Sequence, residues 1–302
     1  MRAILSLVLI LGAVSCSGEA RSNGASGDSI AVVASSYPLA HLAEQIGDGD
    51  VAVTNLTPPG VEPHGLELTP ADLVAIAHAD VVIIARGGFQ PAVEEAVDAA
   101  ATGIVVDALE GVDLLPTTEG GDGDGVDGDP HVWLDPAIYA DIGDRVAAAL
   151  RRTGDAAEGA RFDEAAAASR RRLSALDREF RDGLADCATR VMITSHAAFG
   201  YLAAAYALDQ EPIAGLSPAS EPDPRRLATL AAEVRAAGVT TIFTEDLVSP
   251  ETAETLAAEA GVGTAVLSPL EGLTEDQLAA GDDYTSVMRR NLEALRDGLD
   301  CA

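Results

Sequence analysis

Thr69-Pro70-Ala71-Asp72-Leu73-Val74-Ala75-Ile76-Ala77-His78-Ala79-Asp80-Val81-Val82-Ile83-Ile84 decides the fold class. A hydroxyl residue before a proline marks a helix start: the side chain caps a free backbone N–H, and the proline φ is already helical. The helix predicted over 71–79 gives way to four consecutive apolar residues, 81–84, which read as a buried strand. The same rhythm runs outward, with strands at 30–34, 51–56 and 104–106 and helices at 39–46 and 91–101. Short apolar strands alternating with helices predict a parallel sheet covered on both faces.

Further along, a helix is predicted from Pro136 to about residue 152, with Gly154 ending it. A longer helix follows to about residue 186. Phe162, Ala166, Ser169, Leu173, Leu176, Phe180 and Leu184 recur along it at three- and four-residue spacing, one apolar stripe with charges opposite. The second half then repeats the alternation, with strands at 190–194, 241–244 and 264–267 and helices at 198–208, 224–237, 250–260 and 284–299. The halves share a rhythm but no sequence repeat. The expected fold is α/β, two Rossmann-like lobes with parallel sheets joined by one long rigid helix. The expected divisions are an N-terminal lobe over 29–153, the linking helix over 154–187 and a C-terminal lobe over 188–302.

A chain of 302 residues has room for two cores. A formal charge of -30 argues against nucleic acid, whose phosphates it would repel, and suits a solvated exterior or the gathering of cations. Residues 3–14 are an apolar run behind Arg2, of export-signal length and too short to span a bilayer. The run ends in Ala13-Val14-Ser15-Cys16, which resembles a bacterial lipobox. Residues 1–15 are therefore expected to be a signal peptide, Cys16 the lipidated first residue of the mature chain, and 16–28 a flexible tether. In an exported chain the two other cysteines, Cys187 and Cys301, are expected to form a disulfide.

Residues 117–129 are a low-complexity insert in which Glu119, Asp122, Asp124, Asp127 and Asp129 are spaced by glycines. It reads as a mobile acidic loop beside His131. It is no EF-hand, because Val126 stands where the third oxygen ligand belongs.

Three of the five histidines lie in turns. His64 sits between Pro63 and Gly65 after a predicted strand, and His196 follows the strand at 190–194. His131 lies in Asp129-Pro130-His131-Val132-Trp133-Leu134-Asp135-Pro136, where two prolines restrict the backbone. The carboxyl edge of an open α/β sheet is where ligands bind, so three such imidazoles suggest one metal site between the lobes. His41 and His78 fall in helices and are set aside. A fourth ligand is needed, and residue chemistry leaves Glu245, Asp246 and Glu271 open.

Four ordered motifs carry a family resemblance: 62–70, 129–136, 194–201, and Ser268-Pro269-Leu270-Glu271-Gly272-Leu273-Thr274 with the stretch 283–292 after it. Together they resemble the metal-binding motifs of the zinc and manganese solute-binding lipoproteins of ABC importers, most closely the zinc-binding members, over residues 30 to 299. The resemblance implies His64, His131, His196 and Glu271 as metal ligands. It also implies capture of Zn2+ as transported ligand and delivery to an ABC permease driven by a separate ATPase subunit. The protein would act as a monomer, lipid-anchored on the extracytoplasmic face of the cell membrane, and not as an enzyme. One departure is that the histidine-rich loop of many zinc members is replaced here by the acidic stretch 117–129. Three imidazoles and one carboxylate favour zinc over manganese, which prefers more oxygen ligands. Binding is expected to weaken below about pH 6, where free imidazoles protonate. A manganese receptor of the same family is the alternative. A zinc hydrolase is the reading from another class, disfavoured because Glu271 would close the coordination position that a catalytic water needs.

Overall fold

The computed structural model describes residues 29–116, 128–219 and 224–302. The expected signal peptide and tether, with Cys16, and most of the acidic loop lie outside these residues.

The apolar runs form the predicted sheets. In the first, β1 (Ile30–Ala34), β2 (Val51–Asn55), β3 (Val81–Ile84) and β4 (Ile104–Asp107) are all parallel, in the order β2-β1-β3-β4. β3 is buried at every residue and the edge strand β2 at none, as apolar content and position in the sheet require. In the second, β5 (Val191–Thr194), β6 (Asp209–Pro212), β7 (Thr241–Thr244) and β8 (Gly263–Val266) repeat the pattern as β6-β5-β7-β8. The two halves thus share a strand order that no sequence repeat announces. β6 was not predicted, since Asp209-Gln210-Glu211-Pro212 has the composition of a turn; it pairs only with β5, at the sheet edge where proline is tolerated.

Helices α1 (Tyr37–Gly47), α2 (Pro70–His78), α3 (Pro91–Ala100) and α4 (Pro136–Thr153) belong to the first half. α2 starts as predicted, with Thr69 and Asp72 capping each other's backbone N–H groups. Helix α5 (Ala156–Gly183) is the long linker. Its buried residues include Phe162, Ala166, Ser169, Leu173, Leu176 and Phe180, and it packs on α1 and α4. The second half carries α6 (Gly200–Tyr206), α7 (Pro224–Ala237), α8 (Glu251–Ala260), α9 (Glu275–Ala280) and α10 (Tyr284–Gly298). α5 also packs on α10, and so touches both halves. One apolar core, including Trp133, Tyr139, Phe180, Phe199 and Tyr284, runs through both.

Cys187 and Cys301 are joined by a disulfide, at the one isolated bridge between the segment after α5 and the segment after α10. No helix among the described residues is long and apolar enough to cross a membrane.

Candidate metal centre

His64 lies on the loop after β2, His196 on the loop after β5 and His131 on the segment that leads into α4, and each is aimed by groups around it. His131 opens a single 3-10 turn, Val132–Leu134, held between the prolines. Its backbone N–H and ring Nδ1 both donate to Asp129 Oδ1, at 2.9 and 2.7 Å. His196 follows β5 and is gripped in the same way by Glu245 from the end of β7. Its backbone N–H donates to Oε1 at 3.0 Å and its Nδ1 to Oε2 at 2.6 Å. A carboxylate accepts only, so each grip puts the proton on Nδ1 and leaves the Nε2 lone pair free for a cation.

His64 is placed differently. Its backbone N–H donates to Glu62 Oε1 at 2.9 Å, and the carbonyl of Pro63 accepts from the buried Gln90 amide at 3.3 Å. The ring meets the edge of Phe89, with centroids 4.7 Å apart. Its Nε2 is buried without a hydrogen bond.

Glu271 arrives on the loop after β8. Leu270 before it is held in the left-handed region, φ 55°, which a bulky residue adopts only when its surroundings enforce it. Here Leu270 is fully buried, and Ser268 is clamped at both its N–H and its carbonyl by the Asn291 side chain, at 2.8 and 2.7 Å. The outcome is that Glu271 Oε1 lies 3.1 Å from His131 Nε2, 3.1 Å from His196 Nε2 and 3.4 Å from His64 Nε2. Four donor atoms, one per residue, lie within 4.8 Å of one another. A tetrahedral ion with bonds of about 2.0–2.1 Å has donors spaced about 3.3–3.4 Å apart, close to the three separations between Glu271 and the imidazoles.

This chain matches the family model described as ZnuA, zinc-uptake complex component A, periplasmic, over residues 32–298. The chain belongs to the ZnuA family. Among its relatives, the high-affinity zinc uptake system protein ZnuA of Bacillus subtilis is 34% identical over 304 residues, covering 97% of this chain and 94% of that protein. The zinc-binding protein AdcA of Streptococcus pyogenes is 35% identical over 294 residues, 90% of this chain; the match spans 56% of AdcA, little more than half its length. The crystal structure of the Zn(II)-bound ZnuA-like domain of Streptococcus pneumoniae AdcA superposes with a TM-score of 0.76 at 34% identity, covering 89% of this chain and 98% of that one. The α/β fold with two parallel sheets and a linking helix is thus that of the ZnuA family.

The electrostatics suit a cation in this ZnuA-family cleft. Burial alone would raise the Glu271 carboxyl, but the charge of His196 and the close approach of the His131, His196 and His64 rings outweigh it and hold Glu271 well below the usual carboxylate range. Burial would likewise lower His196, yet Glu245 and Glu271 push it up to about 10. His131 is raised in the same sense, against burial, by Asp129 and Glu271. Without metal, protons on these imidazoles do the cation's work. Proton competition therefore extends well above the expected pH 6, because two imidazoles are not free but paired with carboxylates.

Of the acidic residues left open by the sequence, the structure brings only Glu271 into the cluster. Glu245 stands behind His196, and Asp246 accepts from the Gln277 side chain at 3.2 Å. Asp129, read as part of the acidic loop, is the partner of His131. Its spacing two residues before a histidine, across a proline, was the available clue. For Gln90 no such clue existed, and Asn291 lay in the stretch 283–292 with nothing to show that it would reach Ser268. His41 and His78 stay outside the cluster: His41 lies on α1 beside Tyr37 and Tyr284, and His78 Nδ1 meets the Val74 carbonyl in the last turn of α2.

Proposed function

We propose that this chain is the zinc receptor of an ABC importer, holding Zn2+ between its halves through His64, His131, His196 and Glu271 and passing it to a membrane permease driven by a separate ATPase. The observation that carries this reading is the convergence of three imidazole nitrogens and one carboxylate oxygen on one buried point. Three neutral imidazoles and a carboxylate match zinc in softness and number. The relatives named for zinc binding and zinc uptake support the choice over manganese. The carboxylates on Nδ1 make the imidazoles stronger donors and fix their direction.

Cys16 is the proposed site of the lipid that anchors the receptor outside the cell, and the chain does no chemistry of its own. Against a hydrolase, Glu271 takes the position a catalytic water would need, and Glu245, the nearest other carboxylate on His196, is already committed to that ring.

Metal content and competitive titration of the full chain with zinc and manganese test the reading, with Glu271→Ala alongside. One tightly held zinc per chain, weakened by the substitution and barely displaced by manganese, is the expected result. Manganese preference or indifference to Glu271 would overturn it.

A further inference from the structure

The four residues of the cleft are not equally held, and the difference follows the architecture. His131 precedes the linking helix in the chain, yet its segment is tied to the second half by three hydrogen bonds. Tyr201 Oη donates to the Asp129 carbonyl at 2.9 Å, Trp133 Nε1 to the Pro269 carbonyl at 2.8 Å, and Tyr284 Oη to the Trp133 carbonyl at 2.6 Å. His196 and Glu271 belong to that half already. His64 alone rides on the loop after β2. The hydrogen bond between that loop and the Glu271 loop runs from the Gly60 N–H to the Leu273 carbonyl, 2.8 Å.

The rings differ in the same direction. His131 and His196 are wholly buried, each with a carboxylate on Nδ1 and Nε2 hydrogen-bonded to Glu271. The His64 ring is 9% exposed, its Nε2 is the farthest from Glu271, and among the described residues no carboxylate takes its Nδ1. An aromatic edge contact with Phe89 steadies it, a weaker constraint than a charge-assisted hydrogen bond.

We infer that opening of the cleft withdraws His64 alone, leaving the ion on a three-ligand half-site of His131, His196 and Glu271, with Asp129 and Glu245 as the positioning residues that keep that half-site intact. His64 is then the last ligand to close on the ion and the first to leave. Release proceeds through a three-coordinate ion that takes water in the vacated position, the step at which an acceptor can attack. This rests on the ligand set proposed above.

The test compares matched ligand deletions in the full chain, with the fold of each variant checked by circular dichroism. Zinc affinity and release rate are read by competition with a chelating dye in His64→Ala, His131→Ala and His196→Ala. His64→Ala should raise the release rate yet keep zinc, with a loss of affinity at least about tenfold smaller than in either other variant; its cobalt(II) form should keep a four-coordinate absorption spectrum that changes on adding azide, as an open position requires. Asp129→Asn and Glu245→Gln should each cost roughly 10–100-fold in affinity. In the zinc-loaded wild type, nitrogen-15 NMR should show slowly exchanging Nδ1 protons on His131 and His196 and a fast one on His64. Equal losses in the three alanine variants, or an equally protected His64 proton, would overturn the inference while leaving the receptor reading standing. A wild type that takes up no zinc would overturn both.

Discussion

Glu245 holds His196 at two points, the backbone N–H at 3.0 Å and the ring Nδ1 at 2.6 Å, reaching across from the neighbouring strand. Turn position and ring direction are thereby set by one side chain. Glu245→Gln keeps the size but loses the charge and one of the two acceptors. Zinc affinity should fall by roughly 10–100-fold with the fold unchanged. Competition against a chelator measures it, and unaltered affinity would show that the grip does not matter for binding.

Protonation of the metal-free site gives a second prediction. The His196 pKa is raised from 6.5 to about 10 in the folded protein, so its protonation contributes stability fully below pH 6.5 and progressively less as the pH rises through about 10. Zinc must displace that proton. Affinity should therefore climb with pH all the way up to about 10, and binding near pH 7.5 should release protons to the buffer. Calorimetry in buffers of different ionisation enthalpy counts them; affinity already flat above pH 7 would contradict the prediction.

Tyr284 tests the tie between the halves. Tyr284→Phe removes the donor to the Trp133 carbonyl and leaves that buried acceptor unpaired, at a cost of about 1–3 kcal/mol. Thermal unfolding of the metal-free protein should show it as a lower midpoint. A midpoint equal to the wild type would mean that another donor replaces the hydroxyl.

The disulfide closes a segment with a sequence separation of 114, for which chain entropy gives a stabilisation of about 4–5 kcal/mol. Cys187→Ser with Cys301→Ser, or reduction of the wild type, should lower the denaturant midpoint correspondingly. Zinc affinity should change little, because the bridge lies at the ends of α5 and α10 and not at the cleft.

The parts of this molecule legible in its sequence are those that depend on local pattern. The buried run 81–84, the Thr69-Pro70 cap and the stripe from Phe162 to Phe180 along α5 read directly, because burial on a strand or helix face leaves a period behind. Three histidines in proline- and strand-bounded turns were visible for the same reason. Their partners were harder to see. Glu245 lies 49 residues from His196 and Asn291 lies 23 from Ser268, pairings made by adjacent strands and a returning helix that no local pattern records. β6 was hidden because an edge strand need not be apolar.

Trp133 is the only tryptophan in the chain. It is fully buried, its indole N–H donates to the carbonyl of Pro269, and its ring lies 5.4 Å from that of His131 and 5.2 Å from that of Phe89. The protein therefore carries one tryptophan fluorophore, excitable at the red edge apart from its five tyrosines, mounted where the halves meet and next to the quenching imidazole of the cleft. Its emission watches that site from a single known location, so a change there on adding zinc can be followed in real time on the unlabelled chain.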